Sequence, residues 1–345
     1  MSTSFARFGN DLHSGRRSFP LVRRRGIWYT VSALLLIALA TIAVLRGPNL
    51  GIEFTGGSEF QISGVEQTDE MLARDVVREQ VPGHEPRVTT LGGSTVRVQT
   101  EQLDSDATTR LAEDLASAYG VTTGEVSSSF VGPTWGGDVT FQALRAVVVF
   151  LALITTVMAI YFRNLKTSLA AMLALVHDML LTAAVYGAVG FEITPATVIG
   201  FLTILGYSIY DTVVVFDKVR ENTENMATRT DWTYAEGVER AANQTLVRSI
   251  NTSVVALLPV GSILLIGAYV LGAGTLKDIS LSLFVGILAG TYSSIFLAPG
   301  FVVDLRRREK PLQAQAERVL AARRSGTDAS DDGGAGTPAA VAAAP

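Results

Sequence analysis

No cysteine occurs among the 345 residues, so the chain forms no disulfide and carries no thiolate chemistry, catalytic or metal-binding. Charge is scarce as well: Asp, Glu, Lys and Arg make up 17% of the chain, the formal net charge is -4, and there are three histidines. That balance gives no sign of a nucleic-acid partner. No glycine-rich phosphate loop is present, which leaves ATP hydrolysis without its usual cradle. What the chain does have is apolar surface, at 48% hydrophobic residues with a mean hydropathy of +0.33. Such a composition is foreign to soluble domains and points to a membrane protein.

A bilayer core takes about 20 mostly apolar residues in one helix. Six segments have that length: Ile27 to Leu45, Phe141 to Phe162, Leu169 to Val189, Pro195 to Phe216, Ile250 to Leu271 and Ile279 to Val303. Cations gather at alternate ends. Arg16, Arg17, Arg23, Arg24 and Arg25 precede span 1, Arg163 and Lys166 separate spans 2 and 3, Lys218 to Arg248 join spans 4 and 5, and Arg306, Arg307, Arg308 and Lys310 follow span 6. The positive-inside rule then makes residues 1–26 and 304–345 cytoplasmic and places the long loop 46–140 outside. Ala38-Leu39-Ala40 resembles a signal-peptide cleavage site, but the apolar run continues past it, which favours an uncleaved anchor. Beyond Lys310 the chain becomes rich in Ala, Gly, Ser and Asp, a composition expected to stay largely disordered.

The outer loop reads as a small α+β domain. "EFQISG" from Glu59 is a short strand, and "TDEMLARDVVREQ" is a helix with Met71, Leu72, Val76 and Val77 on one face and Thr68 as its N-cap. "RVTTLGGSTVRVQT" is a hairpin turning at Gly92-Gly93, "SDATTRLAEDLASAYG" a second amphipathic helix, and "TTGEVSSSFVG" a last strand. The order β-α-β-β-α-β is that of a ferredoxin-like sheet. His84 stands in a Pro-Gly turn without a serine, carboxylate or second histidine at a useful spacing, so it reads as a solvated loop residue. The domain is a docking surface or a rigid spacer.

The informative residues are the charges inside the spans. Asp211, in "GYSIYDTVVVFDKVREN", stands seven residues before Lys218, which puts it roughly 10 Å below the cytoplasmic boundary. Thr203, Tyr207, Ser208 and Asp211 fall on one helix face, while Ile204, Leu205, Ile209 and Val213 turn elsewhere. In span 5, Arg248, Asn251 and Thr252 share a face that offers a partner. Arginine keeps its proton at any usable pH, so it biases a neighbour, whereas an aspartate beside it can cycle. Against this coupling reading stands a fixed ion pair that pins two helices. His177 and Asp178, in the middle of span 3, form a secondary proton or helix-packing site, with Tyr207 and Asn251 as further members. Asp217, Lys218, Arg220 and Glu221 close span 4 as solvated charges or structural ion pairs, and Gly187, Gly190, Gly200, Gly206, Gly286 and Gly290 allow close helix approach.

Several motifs in order, "GIEFTGGSEFQI" from Gly51, "FVGPTWGGDV" from Phe130, "HD" at His177, the Asp211 stretch, "NQTLVRSINTS" and "GTYSSIFLAPG" from Gly290, resemble the SecD/SecF family of export membrane proteins. The resemblance covers about residues 20–305. It implies a resistance-nodulation-division fold, α-helical and polytopic, with six transmembrane helices pairing with six of SecD. It also implies a plasma-membrane location and a proton-motive-force-driven step, with protons as coupling ion and no other cofactor. The step assists export after SecA-driven threading through the SecY/SecE/SecG channel, with the translocating unfolded polypeptide, membrane lipid and, as a further candidate, YajC as partners. The coupling positions of the family fall on Asp211 and Arg248. Two departures stand out, Tyr210 where many members carry asparagine and Glu53 in place of an aspartate. Two other functions fit six spans: a small-molecule exporter of the same superfamily, and a passive scaffold at the channel.

Overall fold

The computed structural model describes residues 11–12, 14, 16–81, 83, 85–270 and 273–331; His84, Leu271 at the expected end of span 5, and the last residues of the tail lie outside them. Six helices are long and apolar enough to cross a membrane. They are α1 (Arg25–Arg46), α5 (Pro133–Phe162), α6 (Leu165–Val189), α7 (Pro195–Asn222), α8 (Tyr234–Ile263) and α9 (Gly274–Tyr292). Local chemistry sets their starts. Asn164 accepts from the backbone N–H groups of Lys166 and Thr167 at 3.1 Å each, and Thr194 with Pro195 behind it opens α7. Thr233 and Glu236 form a capping box at the head of α8. Gly190 ends α6 at φ 84°, in the left-handed region, so here a glycine that the sequence suggested for helix packing serves as a cap.

Two of the helices change winding. α8 contains Pro259 and passes into a π turn over Leu264–Val270, and α9 passes through a second π turn, Ser293–Leu297, into α10 (Ala298–Arg306). Half or nearly half of the most apolar window of α6, α7 and the α9–α10 helix is buried, against 6% for α1 and α5 and 11% for α8. The first set is the inner layer; the second turns most of its apolar surface away from the protein. α7 lies on α9 where Gly286 faces Ile204 and Gly290 faces Ser208, while Gly206 faces open space.

Between α1 and α5 sits the outer domain. A one-turn helix α2 (Ile52–Thr55) precedes β1 (Gly57–Ser63), α3 (Glu70–Gln80), β2 (Arg87–Leu91), β3 (Thr95–Thr100), α4 (Ser105–Tyr119) and β4 (Val126–Val131). The sheet order is β2-β3-β1-β4 with every pair antiparallel, as the ferredoxin-like reading expects. Phe60, Ile62, Val88, Val96 and Val98 from the strands meet Ala73, Val77, Leu111 and Leu115 from the helices in one core. Gly92 and Gly93 both take positive φ in the hairpin turn. Two details differ from expectation. Asp69, not Thr68, caps α3 by accepting from Met71 N–H, and Met71 and Leu72 are exposed while Ala73 and Val77 face the core. The stripe that meets the core runs through Ala73, Val76 and Val77.

At the other end of the bundle, the first part of the tail that the sequence leads us to expect largely disordered is helical. Lys310–Asp331 forms a helix, α11, with Val319 and Gln315 fully buried. Gln315 Nε2 donates to the carbonyls of Trp232 at 2.8 Å and Arg229 at 3.3 Å, and Arg323 forks onto Glu236 with two 2.9 Å bonds. The segment has too few large apolar side chains to fold alone, but its Ala, Gln, Glu and Arg favour helix once a surface is supplied. On the same side, Asn243 clamps the N-terminal arm, accepting from Phe19 N–H at 2.7 Å and donating to its carbonyl at 2.9 Å.

A methyl group at Gly286 would stand 2.6 and 2.7 Å from the two γ carbons of Ile204. Gly286→Ala is therefore expected to cost about 1–3 kcal/mol through overpacking, read as a lower thermal midpoint of the purified chain in detergent. Ile204→Ala in the same chain recovers part of that loss; a midpoint unchanged by Gly286→Ala would mean the two helices do not pack as described.

Candidate functional site

Asp211 is buried at 5% exposure, in the middle of the inner layer. Ser249 of α8 donates to its Oδ1 at 2.9 Å, and Ser294, from the π turn that follows α9, donates to Oδ2. One carboxyl thus receives a hydroxyl from each of two neighbouring helices. The extra residue in a π turn changes the direction in which side chains project, and such turns recur at functional sites. Here the turn brings Ser293 and Ser294 fully inside. Beside it, Ser253 of α8 and Thr291 of α9 share a 2.6 Å hydrogen bond.

A second carboxyl, Asp178 of α6, lies against the same face of α7, one turn away. Ser208 donates to Asp178 Oδ2, and His177 Nδ1 stands 3.2 Å from Asp178 Oδ1. His177 Nε2 is 2.6 Å from Ser32 Oγ on α1. The chain Ser208–Asp178–His177–Ser32 therefore runs from α7 through α6 to α1, so His177 and Asp178 of the expected secondary site join one polar string while Tyr207 and Asn251 stand outside it. Ser208 and Asp211 are three positions apart on α7, so one helix holds both carboxyl sites together.

Arg248 is placed otherwise than expected. It is exposed on α8 and makes no ion pair with Asp211 among the described residues; its neighbour Ser249 takes that place. The face of α8 turned inward carries Ala242, Thr245, Leu246, Ser249 and Ser253, about 100° around the helix from Arg248, and Asn251 is exposed with Arg248. Thr203 likewise lies outside, bonded to the carbonyl of Ile199, while Ile204, Leu205 and Ile209 are inside. Tyr207 is half-buried with its hydroxyl near Ser253 but outside hydrogen-bond geometry. Tyr210 is 55% exposed, so the substitution before the aspartate does not touch Asp211's hydrogen bonds. At the foot of α7, Asp217 accepts from Tyr161 at 2.8 Å and Lys218 pairs with Glu221 at 2.6 Å, both at the surface.

The outer domain meets the bundle at the α6–α7 turn. Leu50 forms a parallel bridge with Ile193, and Arg46 donates to the carbonyls of Ala188 at 2.7 Å and Val189 at 3.0 Å. Glu192 of the same turn is bonded to Arg97 of β3 and accepts from Gln99 at 2.7 Å. Glu53, in α2, lies close by with one carboxylate oxygen buried and unpartnered; burial raises its pKa, against a backbone hydrogen bond that lowers it, and Glu192 and Glu59 raise it further. Among the described residues no cluster of histidine and carboxylates could hold a metal ion.

A six-helix polytopic bundle with a ferredoxin-like outer domain and a hydroxyl-ligated carboxyl at its centre is a membrane protein of the transport type. The family model for the C-terminal part of the protein export membrane proteins SecD and SecF matches residues 112–308, and that for the SecD/SecF GG motif matches 43–64. The chain belongs to the SecD/SecF family. It is 44% identical over 318 residues to protein translocase subunit SecF of Streptomyces coelicolor, covering 92% of this chain and 85% of the relative. With SecF of Mycobacterium tuberculosis it shares 42% over 344 residues, covering 95% and 77%. It superposes on the crystal structure of SecDF from Thermus thermophilus, titled a translocon-associated membrane protein, with a TM-score of 0.75 and 33% identity. That match takes in 85% of this chain and 39% of SecDF, so the chain spans about two-fifths of the longer protein.

Spacing singled out Asp211 but missed Ser249 and Ser294. Both are small hydroxyls in apolar runs, a signal as common in helix packing as in a site, and only the third dimension sorts them. Ser294→Ala leaves one carboxyl oxygen without its donor, and a cost of about 1–3 kcal/mol in thermal stability is expected. In a double-mutant cycle the same change made on an Asp211→Ala background should cost little; equal costs on both backgrounds would show that the hydroxyl is packing only.

Proposed function

We propose that the chain is the SecF-type subunit of a proton-driven export complex, taking its place beside a SecD subunit next to the translocon. The observation that carries the reading is Asp211, a buried carboxyl tied by hydroxyls to two other helices. Ionised, it accepts from both Ser249 and Ser294. Protonated, one of its oxygens becomes a donor, and a hydroxyl that faced that oxygen must turn or part. A change of charge at one atom therefore alters how α7 is joined to α8 and α9. Intramembrane ionisable groups are expensive and generally belong to ion paths or relays.

Arg248 and Asn251 fit the same reading from outside. They project from the face of α8 that this chain leaves uncovered, and a guanidinium there needs a protein or water partner in place of lipid. A six-helix SecD half supplies such a surface, and the arginine then biases Asp211 from the boundary between the subunits. Proton entry, plasma-membrane residence with both termini cytoplasmic, and delivery of the pull to an unfolded polypeptide emerging from the SecY/SecE/SecG channel belong to this proposal, as does any contact with YajC. SecA remains the ATP-hydrolysing partner.

The test is gradient-dependent export of a secreted reporter into inverted vesicles carrying wild type, Asp211→Asn or Arg248→Met, with assembly with SecD quantified in parallel. Both variants are expected to lose the gradient-dependent part, about 10–100-fold in rate, with assembly intact. Unchanged export would overturn the coupling reading and leave the two residues as helix pins in a passive scaffold.

A further inference from the structure

The two intramembrane carboxyls lie on α6 and α7, and the turn that joins these two helices on the outer side carries Glu192. From that turn Glu192 reaches the open face of the outer sheet. It pairs with Arg97, accepts from Gln99 Nε2 at 2.7 Å, and Gln99 also donates to Glu59 at 2.9 Å. The ion pair is largely withdrawn from water, with side-chain exposures of 12% for Arg97 and 10% for Glu192. Surface pairs are cheap to break, but a shielded one with additional hydrogen bonds holds its geometry, because parting leaves both charges desolvated.

The remaining links at this junction are of another kind. Gly51 N–H donates to Ile193 O at 2.9 Å, Ile193 N–H to Asn49 O at 2.8 Å, and Asn49 Nδ2 to Gly190 O at 2.9 Å. These secure the connector that leaves α1, and one exposed bond ties the sheet to it, from Arg87 of β2 to Leu50 O at 2.8 Å. Between that connector and β1 the backbone takes positive φ at Gly56 and Gly57, 76° and 143°, and Gly47 does so where α1 ends, at 78°. Glycine tolerates backbone turning at these points, so the connector by itself fixes the sheet only through the exposed Arg87 bond. Glu192 is where the helix pair that holds the carboxyls grips the body of the domain.

We propose that Glu192 is the positioning residue that transmits movement of the α6–α7 pair to the outer domain, through its grip on Arg97 and Gln99 of β3. This rests on the proton-driven export reading. A clasp of this kind transmits force without taking part in proton movement, so opening it uncouples the two: protons still pass and the outer domain no longer follows. The charge on Glu192 is what Arg97 holds, and Gln99 contributes direction.

The experiment uses the full chain with its partner subunit in inverted vesicles and reads two quantities at once, proton flux by a pH-sensitive dye and gradient-dependent export of a reporter. Glu192→Ala and Arg97→Ala are each expected to lower export about tenfold, the size of an ordinary coupling between sites, while proton flux stays at the wild-type level. Glu192→Gln, which keeps an acceptor for Gln99 and is the mildest change to folding, should show a smaller loss of the same kind. The exchange Glu192→Arg with Arg97→Glu should regain most of the export. Wild-type export in the single variants overturns the clasp, as does a loss of flux together with export, or an exchange that performs no better than its singles. Asp211→Asn separates the two readings. If it stops flux and export while the Glu192 and Arg97 variants behave as wild type, only the clasp fails; if it leaves both quantities unchanged, the coupling reading fails and takes the clasp with it.

Discussion

Everything in the membrane part of this chain is arranged around the requirement that a carboxyl between apolar helices must have partners. An unpaired polar group in hydrocarbon costs several kcal/mol, so Asp211 can exist only where other helices bring it donors. That single demand explains features that look unrelated in the sequence. Gly286 and Gly290 let α9 come close enough to α7 for the π turn beyond them to present Ser294. Ser249 has to face inward, which sends Arg248 outward. Asp178 of the neighbouring helix imposes the same demand on Ser208 and His177, and His177 reaches α1 through Ser32. The inner layer of α6, α7 and α9, with Ser249 supplied by α8, encloses the two carboxyls.

Much of this was legible beforehand. Long apolar runs and flanking arginines define the six helices, because backbone hydrogen bonding in lipid leaves little choice. The outer domain was readable because alternation, helical stripes and the Gly92-Gly93 turn all agree on one topology. The helix rotations were not legible. Arg248 and Ser249 are neighbours in sequence, and spacing cannot say which of two adjacent residues looks at α7 when both sides of α8 are apolar. Thr203 failed for the same reason, since a threonine can bond its own helix backbone and needs no polar face. The helix at Lys310–Asp331 is not legible from the segment's own apolar content. α11 instead borrows the surface of the α7–α8 loop, with Gln315 buried against the carbonyls of Trp232 and Arg229.

The choice of ligands at Asp211 is itself informative about what the site can do. Had Arg248 been its partner, one protonation state would have been held by a permanent positive charge, and releasing it would have required separating the pair in a medium where separation is costly. Serine hydroxyls differ, since each can donate to an anion or accept from an acid by rotating about one bond. Ser249 and Ser294 can therefore serve either state of the carboxyl, with the difference expressed in how tightly three helices are drawn together. A carboxyl meant only to pin helices gains nothing from ligands that work in both states. Under the proposed proton-coupled reading, ligands that suit both states are what a carboxyl that changes charge needs, and Arg248, on the outward face of α8, stands outside its hydrogen bonds.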